Sequence, residues 1–394
     1  MLLSLLVYSL TGTILFYLGW HVNKREQNTL MRVGKELSFF SWEILLSLFI
    51  FSVIAGARYH TGYDHAMYLD QYQHLLKTGE FSRHNFEYGF EWISKIFACC
   101  QIHYFFYFAF WALLQIGFLY YALRYNKFLL CWIGLGIMLC PYFYSWMNSV
   151  RQSVVVCVFV ALIPLIRDRK FFPYAVIVTL CAFLHKSSFM LVPVFLLCFV
   201  KINEKVPNRW FLLAVFALFV LVGSFPFWTK YFTNYQWFIN LTGYSNYGNL
   251  DDPNVGGRMR MVNWGPIRIS LLLSNLAIIW FYPKLKSYFK NDTLLPYYFI
   301  LAFIGMCLNN LLMNTTHFIL RPVDYFLIFS LLLTAYLLCY LYNSRNIKAF
   351  MGVAIINFSY IFMAVLKAAF YPSNTTAPFI YHFFFCPNFI NNLG

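Results

Sequence analysis

Nearly uncharged apolar stretches recur from one end of the chain to the other, at residues 2–20, 38–57, 101–122, 128–147, 150–166, 171–186, 188–200, 210–227, 264–282, 295–314, 320–342 and 349–370. A helix needs about 20 predominantly apolar residues to cross about 30 Å of hydrocarbon. Inside lipid a lone segment can satisfy its backbone N–H and C=O groups only as a helix. The pattern therefore predicts an all-α polytopic membrane protein with about twelve transmembrane helices. Several stretches are short and abut in pairs, which leaves their boundaries loose. Charged residues make up only 11% of the chain, against about 25% in an ordinary soluble domain, so a water-soluble fold is excluded. No soluble domain, repeat of fixed period or low-complexity linker interrupts the pattern, and residues 1–394 read as one integral membrane domain.

The net charge of +15 follows the same alternation. One set of loops carries Lys24, Arg25, Arg32 and Lys35; Arg124 and Lys127; Arg167, Arg169 and Lys170; Lys201, Lys205 and Arg209; Lys284, Lys286 and Lys290; and Arg345 and Lys348. Short loops rich in Lys and Arg stay in the cytoplasm, which puts both termini outside. MLLSLLVYSL lacks a charged leading segment and reads as a retained first span rather than a signal peptide. There is no Lys/Arg-rich run of the kind that grips a phosphate backbone, so no nucleic-acid partner is expected. The ten cysteines lie mostly in apolar runs and form no CxxC, which indicates neither a disulfide framework nor a zinc site. Aromatic residues reach 22%; their rings suit both membrane interfaces and sugar-stacking surfaces.

The opposite face carries two sizeable loops, about 58–90 and 228–262, and the tail 371–394. Between Asp64 and Lys77, residues Met67, Tyr68, Tyr72 and Leu75 fall at helical spacing, predicting an amphipathic helix along the outer membrane surface. The second loop contains NYGNLDDPNVGG, a run of turn formers that reads as mobile.

Basic residues on this outer face run against the charge bias: Arg58, Lys77, Arg83, Lys95, Arg151, Lys186, Lys230, Arg258, Arg260, Arg268, Arg321 and Lys367. Arg58, Arg151, Arg268 and Arg321 sit at the outer ends of spans, where an ionisable side chain faces a cavity, a partner or the headgroups. Snorkelling to the headgroups, or pairing with Asp64, Glu87, Glu91 or Asp324, is the structural explanation for each. A ring of guanidinium groups, with forked donors that do not deprotonate, is also suited to a lipid-linked phosphate or diphosphate.

Four short patterns accompany these arginines. In Arg58-Tyr59-His60-Thr61-Gly62-Tyr63-Asp64, Gly62 permits a sharp turn and Asp64 opens the surface helix, as cap or as functional carboxylate. Glu87-Tyr88-Gly89-Phe90-Glu91 places two carboxylates four apart, on one face of a helix. Asn148-Ser149-Val150-Arg151-Gln152 opens a span, where polar side chains and free N–H groups can hold an anion or simply cap the helix. His185-Lys186-Ser187-Ser188 lies between two short spans and offers an imidazole as base, donor or structural group. Farther on, Arg321-Pro322-Val323-Asp324 builds a charge pair into another span start.

Taken together, these positions resemble the EpsG family of membrane proteins, which includes Wzy-type polymerases of O-antigens, capsules and exopolysaccharides. The likeness rests on Arg58, Gly62, Asp64 and Tyr68; on Glu87-x-Gly89-Phe90; on Asn148-x-x-Arg151-Gln152; on His185-x-Ser187; and on Arg321 with Tyr325-Phe326. Tyr63 is a departure, standing where the family more often has a small polar residue. The resemblance implies a GT-C-like polymerase architecture in the bacterial inner membrane with its active site facing outside. It also implies transfer of a glycan from undecaprenyl diphosphate to a sugar hydroxyl of the next lipid-linked repeat unit. Arg58, Arg151 and Arg321, with Asn148 and Gln152, would hold the diphosphate. Asp64, His185 or Glu87 would serve in catalysis, and Tyr59, Tyr63, Tyr68, Tyr88 and Arg268 would meet sugars. No cofactor is expected. Asp251-Asp252 lacks the DxD spacing of a metal-binding glycosyltransferase, which points to a metal-independent reaction. The implied partners are the undecaprenyl-diphosphate-linked donor and acceptor oligosaccharides, membrane lipids and a chain-length regulator. Three rival readings stay open: a flippase for the same lipid-linked sugar, an O-antigen ligase, and a membrane acyltransferase using His185 or His317. A flippase would spread charge along the depth of its spans, whereas here the polar motifs gather at the span ends.

Overall fold

A computed structural model of the chain describes residues 1–33, 37–62, 64–82, 86–200, 208–225, 264–315, 320–371 and 379–385. The 228–262 loop with its NYGNLDDPNVGG run, Asp251, Asp252, Lys230, Arg258 and Arg260 lie outside the described residues, as do Tyr63, Arg83, His317 and most of the tail.

The described chain is almost wholly helical: α1 (Leu2–Val33), α2 (Trp42–Gly56), α3 (His65–Thr78), α4 (Tyr88–Cys99), α5 (Tyr104–Ala122), α6 (Leu130–Leu139), α7 (Tyr142–Asn148), α8 (Val150–Arg167), α9 (Phe171–Ala182), a 3₁₀ segment (Lys186–Phe199), α10 (Arg209–Ser224), α11 (Pro266–Tyr288), α12 (Leu295–Leu311), a 3₁₀ turn (Arg321–Val323) leading into α13 (Asp324–Asn343), and α14 (Ile347–Phe370). The exception is a two-residue ladder, β1 (Arg58–Tyr59) against β2 (His382–Phe383).

Each predicted apolar stretch falls on one of these helical segments, but length divides them. Six are long and apolar enough to cross a membrane: Leu2–Thr29, Tyr104–Ala122, Val150–Arg167, Pro266–Tyr288, Arg321–Asn343 and Ile347–Phe370. A seventh is reached if Lys127–Leu139 and Tyr142–Asn148, bent by 64°, form one span. The bend has a local cause. Cys140 precedes Pro141 and is extended (φ −97°, ψ −179°), as the clash with a following proline ring requires. Where the sequence predicts twelve spans, the remaining five segments are shorter, at 12–17 residues. Hydropathy does not register where helical geometry changes. Between residues 171 and 200 the α-helix stops at Ala182 and a 14-residue 3₁₀ helix containing Pro193 follows. At the ~2 Å rise of a 3₁₀ helix that segment spans about 28 Å, whereas the 12 residues of α9 cover only about 18 Å.

The chain divides into two compact units, Met1–Ala161 with Leu341–Gly394, and Leu162–Tyr340. In the first, α1 runs antiparallel to α2 and α6, and α2 antiparallel to α5. Small residues set the spacing: an added Cβ at Gly19 would meet the Cys131 backbone at 2.4 Å, and one at Gly56 the Phe105 carbonyl at 2.5 Å. One end of this bundle holds Glu43, fully buried, with His21 Nδ1 at 2.8 Å and Arg25 Nη1 at 2.5 Å, and the buried Lys127 on Glu26 at 2.5 Å. These tie together two of the basic loops expected on the cytoplasmic side. The Arg58–Asp64, Glu87 and Asn148–Gln152 motifs lie at the other end.

In the second unit, α9 packs on the 3₁₀ segment, with Tyr174 Oη donating to the Leu191 carbonyl at 2.6 Å. Helix α10 packs on α11 and α12. Its Gly223 lies directly on α12, where an added Cβ would stand 2.0 Å from the Asn310 carbonyl oxygen. The Gly223 carbonyl accepts from Asn314 Nδ2 at 2.8 Å. Gly223→Ala is expected to destabilise the protein by about 1–3 kcal/mol through overpacking. The check is the melting temperature of the purified variant in detergent, which should fall by several degrees.

Candidate functional site

The motif-bearing end of the first unit is built from the close of α2. The helix stops at Gly56, and its last-turn carbonyls are taken up side by side. Arg58 Nη1 donates to the Ala55 carbonyl, and Tyr381 Oη donates to the Ile54 carbonyl at 2.6 Å. Capping groups at a helix C-terminus satisfy carbonyls that have no partner within the helix, and a cation there is favoured by the helix dipole. Arg58 then enters β1, paired antiparallel with the returning C-terminal segment. That segment is held by Phe384 N–H to the Ala57 carbonyl (3.0 Å), Thr61 Oγ1 to the Ile380 carbonyl (3.2 Å), Tyr8 Oη to the Phe379 carbonyl (3.1 Å) and Tyr381 N–H to Ser4 Oγ (3.0 Å).

Arg58 is 1% exposed and lies over the Phe108 ring at 4.8 Å. Among the described residues no carboxylate pairs with it, and its Nε has no hydrogen-bond partner. Burial pushes the guanidinium pKa down to about 9, while the Tyr381 and Tyr8 hydroxyls act in the opposite direction. It remains a cation at neutral pH, buried with carbonyl and aromatic partners alone. Such a charge carries an effective desolvation penalty of several kcal/mol, roughly, which an incoming anion would offset.

The chain next turns through His60 (φ +51°) and Gly62 (φ +95°). Gly62 holds a left-handed conformation that side chains resist, and a Cβ added there would stand 3.4 Å from the Met147 carbonyl oxygen at the end of α7. Asp64 follows at the N-cap of α3. Its carboxyl makes no capping hydrogen bond, but its backbone N–H donates to Asn148 Oδ1 at 2.8 Å. The Arg58–Asp64 element and the Asn148–Gln152 element, 84 residues apart by that bond, are thereby locked together.

Arg151 completes the cluster. Its Nη1 forms an ion pair with Glu87 Oε2, and its Nε donates to Tyr68 Oη at 3.3 Å. Its guanidinium lies over Phe86 (4.8 Å), Phe90 (5.1 Å) and Tyr68 (5.9 Å). Glu87 is the extended N-cap of α4 and turns in to Arg151, while Glu91 lies in the first turn of α4. Tyr68, expected to stack on a sugar, is buried against Arg151. Tyr59 is half-buried, Tyr88 is 81% exposed, and Gln152 is buried. The amphipathic helix expected from Asp64 is α3; it buries Tyr68, Tyr72 and Leu75, and Met67 is half-buried.

Two contributors escaped the sequence reading. His65 is fully buried on α3, its ring tilted against Phe108 with centroids 4.8 Å apart, and its Nδ1 accepts from the His60 backbone N–H at 3.2 Å. The signal was present, since 65, 68, 69 and 72 share one helical face, but a histidine in an amphipathic pattern scores as polar. The 379–385 segment gave no signal beyond its aromatic content, because its role is a long-range strand pairing.

The second unit joins the other two motifs. His185, 4% exposed, precedes the 3₁₀ segment, and Ser187 Oγ lies 2.9 Å from Tyr325 Oη on α13. The His185–Ser187 and Arg321–Tyr325 elements therefore meet within this unit. Arg321 opens the turn before α13 and is half-buried. Arg268, near the start of α11, donates from Nη2 to Asn310 Oδ1 at 3.2 Å and lies over Trp264 at 5.0 Å. Among the described residues, no three His, Cys, Asp or Glu side chains are grouped to hold a metal ion.

With this geometry in place, comparison with known proteins gives one match. A sequence model described as EpsG family matches residues 41–381, a range that takes in every motif above. Among curated proteins and among solved structures, nothing matches the chain.

Proposed function

The chain belongs to the EpsG family, and from that membership we propose that it is a polymerase of lipid-linked repeat units, acting at the outer face of the bacterial inner membrane. Its substrates on this reading are undecaprenyl-diphosphate-linked oligosaccharides, as donor and as acceptor, and its product is a surface polysaccharide. The proposal keeps the twelve-span, GT-C-like arrangement, counting the five shorter helical segments with seven long ones when the bent pair is taken as one span.

One observation carries the reading. Arg58, a buried cation with no carboxylate partner among the described residues, stands in one short element with Asp64, whose N–H is bonded to Asn148, just before the helix that bears Arg151. Glycosyl transfer from a diphosphate needs these groups. The bond between the anomeric carbon and the diphosphate oxygen breaks, with its electron pair leaving on the diphosphate. The acceptor hydroxyl forms the new glycosidic bond and gives up its proton to a base. Guanidinium donors held in place before reaction stabilise the charge that develops on the leaving group, and that role falls to Arg58 and Arg151. The Asp64 carboxyl, at the head of α3 after the Gly62 turn, is the base. Glu87 fixes Arg151 rather than reacting. Asn148 holds the turn through the Asp64 N–H. Tyr59 and the exposed Tyr88 offer faces for sugar stacking. The proposed reaction uses these side chains without a metal, and a chain-length regulator is its expected partner.

Deletion of the gene in its native host, followed by electrophoresis of the surface glycan, tests this reading. A polymerase leaves a ladder collapsed to a single repeat unit. Loss of even the single unit would instead identify a flippase or a ligase.

A further inference from the structure

Next to Arg58 lies a second donor with nothing to donate to. The Nδ1 of His65 accepts from the His60 backbone N–H. A backbone amide can only donate, so Nδ1 carries no proton and the neutral imidazole bears its hydrogen on Nε2. Among the described residues, that Nε2, which is buried, has no hydrogen-bond partner, as is true of Arg58 Nε. The two residues are 0% and 1% exposed. Both lie against the same Phe108 ring, at 4.8 Å each. Burial, reinforced by the Arg58 and His60 charges, holds the imidazole pKa well below its ordinary value. His65 is therefore an uncharged donor, not a second cation. His60, in the left-handed region without being glycine, is held in a conformation that few residues adopt, and this conformation accompanies the hydrogen bond that fixes the tautomer.

An unfilled imidazole N–H and an unfilled guanidinium N–H, buried within electrostatic reach of each other, share one complementary chemistry: a group that accepts hydrogen bonds and carries negative charge. We infer that His65 Nε2–H and Arg58 together form a buried subsite for phosphate oxygens, and that His65 is a binding residue for the diphosphate. The inference rests on the proposed diphosphate chemistry of this end of the protein. A neutral donor has a use that a second arginine would not: it ligates the oxygen without adding charge, so the diphosphate is held during bond breaking and released afterwards.

The test uses the full-length protein in detergent, titrated with inorganic pyrophosphate, farnesyl diphosphate and glycerophosphoglycerol, the last representing a phospholipid headgroup. Wild type should bind both diphosphates at least about tenfold more tightly than the phosphodiester. His65→Phe keeps the ring on Phe108 and removes the donor; diphosphate affinity should fall about tenfold, the ratio expected for one hydrogen bond to a charged group. His65→Gln returns an N–H close to the Nε2 position and should recover most of that loss. Recovery by Gln distinguishes donation from packing and keeps the test decisive if the Phe variant folds poorly. Wild-type diphosphate affinity in His65→Phe, or no recovery in His65→Gln, overturns the subsite. Equal affinity for glycerophosphoglycerol overturns the diphosphate assignment in favour of a headgroup site. The outcome separates from that of the polymerase reading. A glycan ladder unchanged by gene deletion, with His65-dependent pyrophosphate binding intact, removes the polymerase and leaves the subsite. A collapsed ladder with His65-independent binding does the reverse.

Discussion

Replacing Arg151 with Lys should lower polymer formation by purified protein in liposomes by about 10²–10³-fold, the loss typical of one preorganised transition-state donor. The melting temperature should stay close to that of wild type. The split follows from what each cation can do at this position. Lysine keeps a charge for Glu87, so folding retains its ion pair. Arginine does more: one nitrogen binds Glu87, another donates to Tyr68 Oη, and the flat group rests among Phe86, Phe90 and Tyr68. This fixes the plane of the fork, and an ammonium on a flexible stem has no plane to fix. Arg151→Ala is the less informative variant. It strands Glu87, whose side chain is only 10% exposed, and the loss of about 3–5 kcal/mol expected for breaking a buried pair would confound the assay. A wild-type rate for Arg151→Lys, measured by initial polymer formation, would remove forked recognition from the account.

Asp64→Asn carries the second large effect. As the base that receives the acceptor hydroxyl's proton, Asp64 should be worth about 10²–10⁴ in turnover. Asparagine preserves the size of the side chain and leaves the backbone bond from residue 64 to Asn148 Oδ1 intact. Pyrophosphate affinity should therefore be unchanged while turnover collapses. Two companion variants locate the proton acceptor. Glu87→Gln keeps an acceptor for Arg151 and should retain far more activity than Asp64→Asn. His185→Ala should do the same. Normal turnover in Asp64→Asn with loss in His185→Ala would move the base to the second unit.

Much of this arrangement was legible in the sequence, for identifiable reasons. Alternating apolar stretches and basic loops report the cost of placing charge and free backbone groups in lipid, so the six long helices and the five shorter apolar segments fall on predicted stretches, whereas α4 falls on none. The Arg58–Asp64 element was readable because Gly62 and an acidic helix opener are local signals, and α3 followed from spacing alone. What stayed hidden depends on geometry at a distance. Nothing local says that Glu87 reaches Arg151, 64 residues on. The Pro141 bend and the 3₁₀ stretch from Lys186 to Phe199 shorten or redirect helices without changing hydropathy. The C-terminal strand holds β1 through backbone hydrogen bonds that no side-chain pattern encodes. His65 was passed over because a histidine on an amphipathic face scores as polar.

The most direct test counts products. Purified protein in liposomes is supplied with undecaprenyl-diphosphate-linked repeat units, and free undecaprenyl diphosphate is measured beside the new glycosidic bonds. Chemistry at the Arg58–Asp64–Arg151 cluster requires one diphosphate carrier released for each bond formed, and neither product from a protein carrying both Arg58→Lys and Arg151→Lys. Lipid-linked units that cross the membrane with no bond formed and no carrier released, or a double variant that polymerises like wild type, would contradict it.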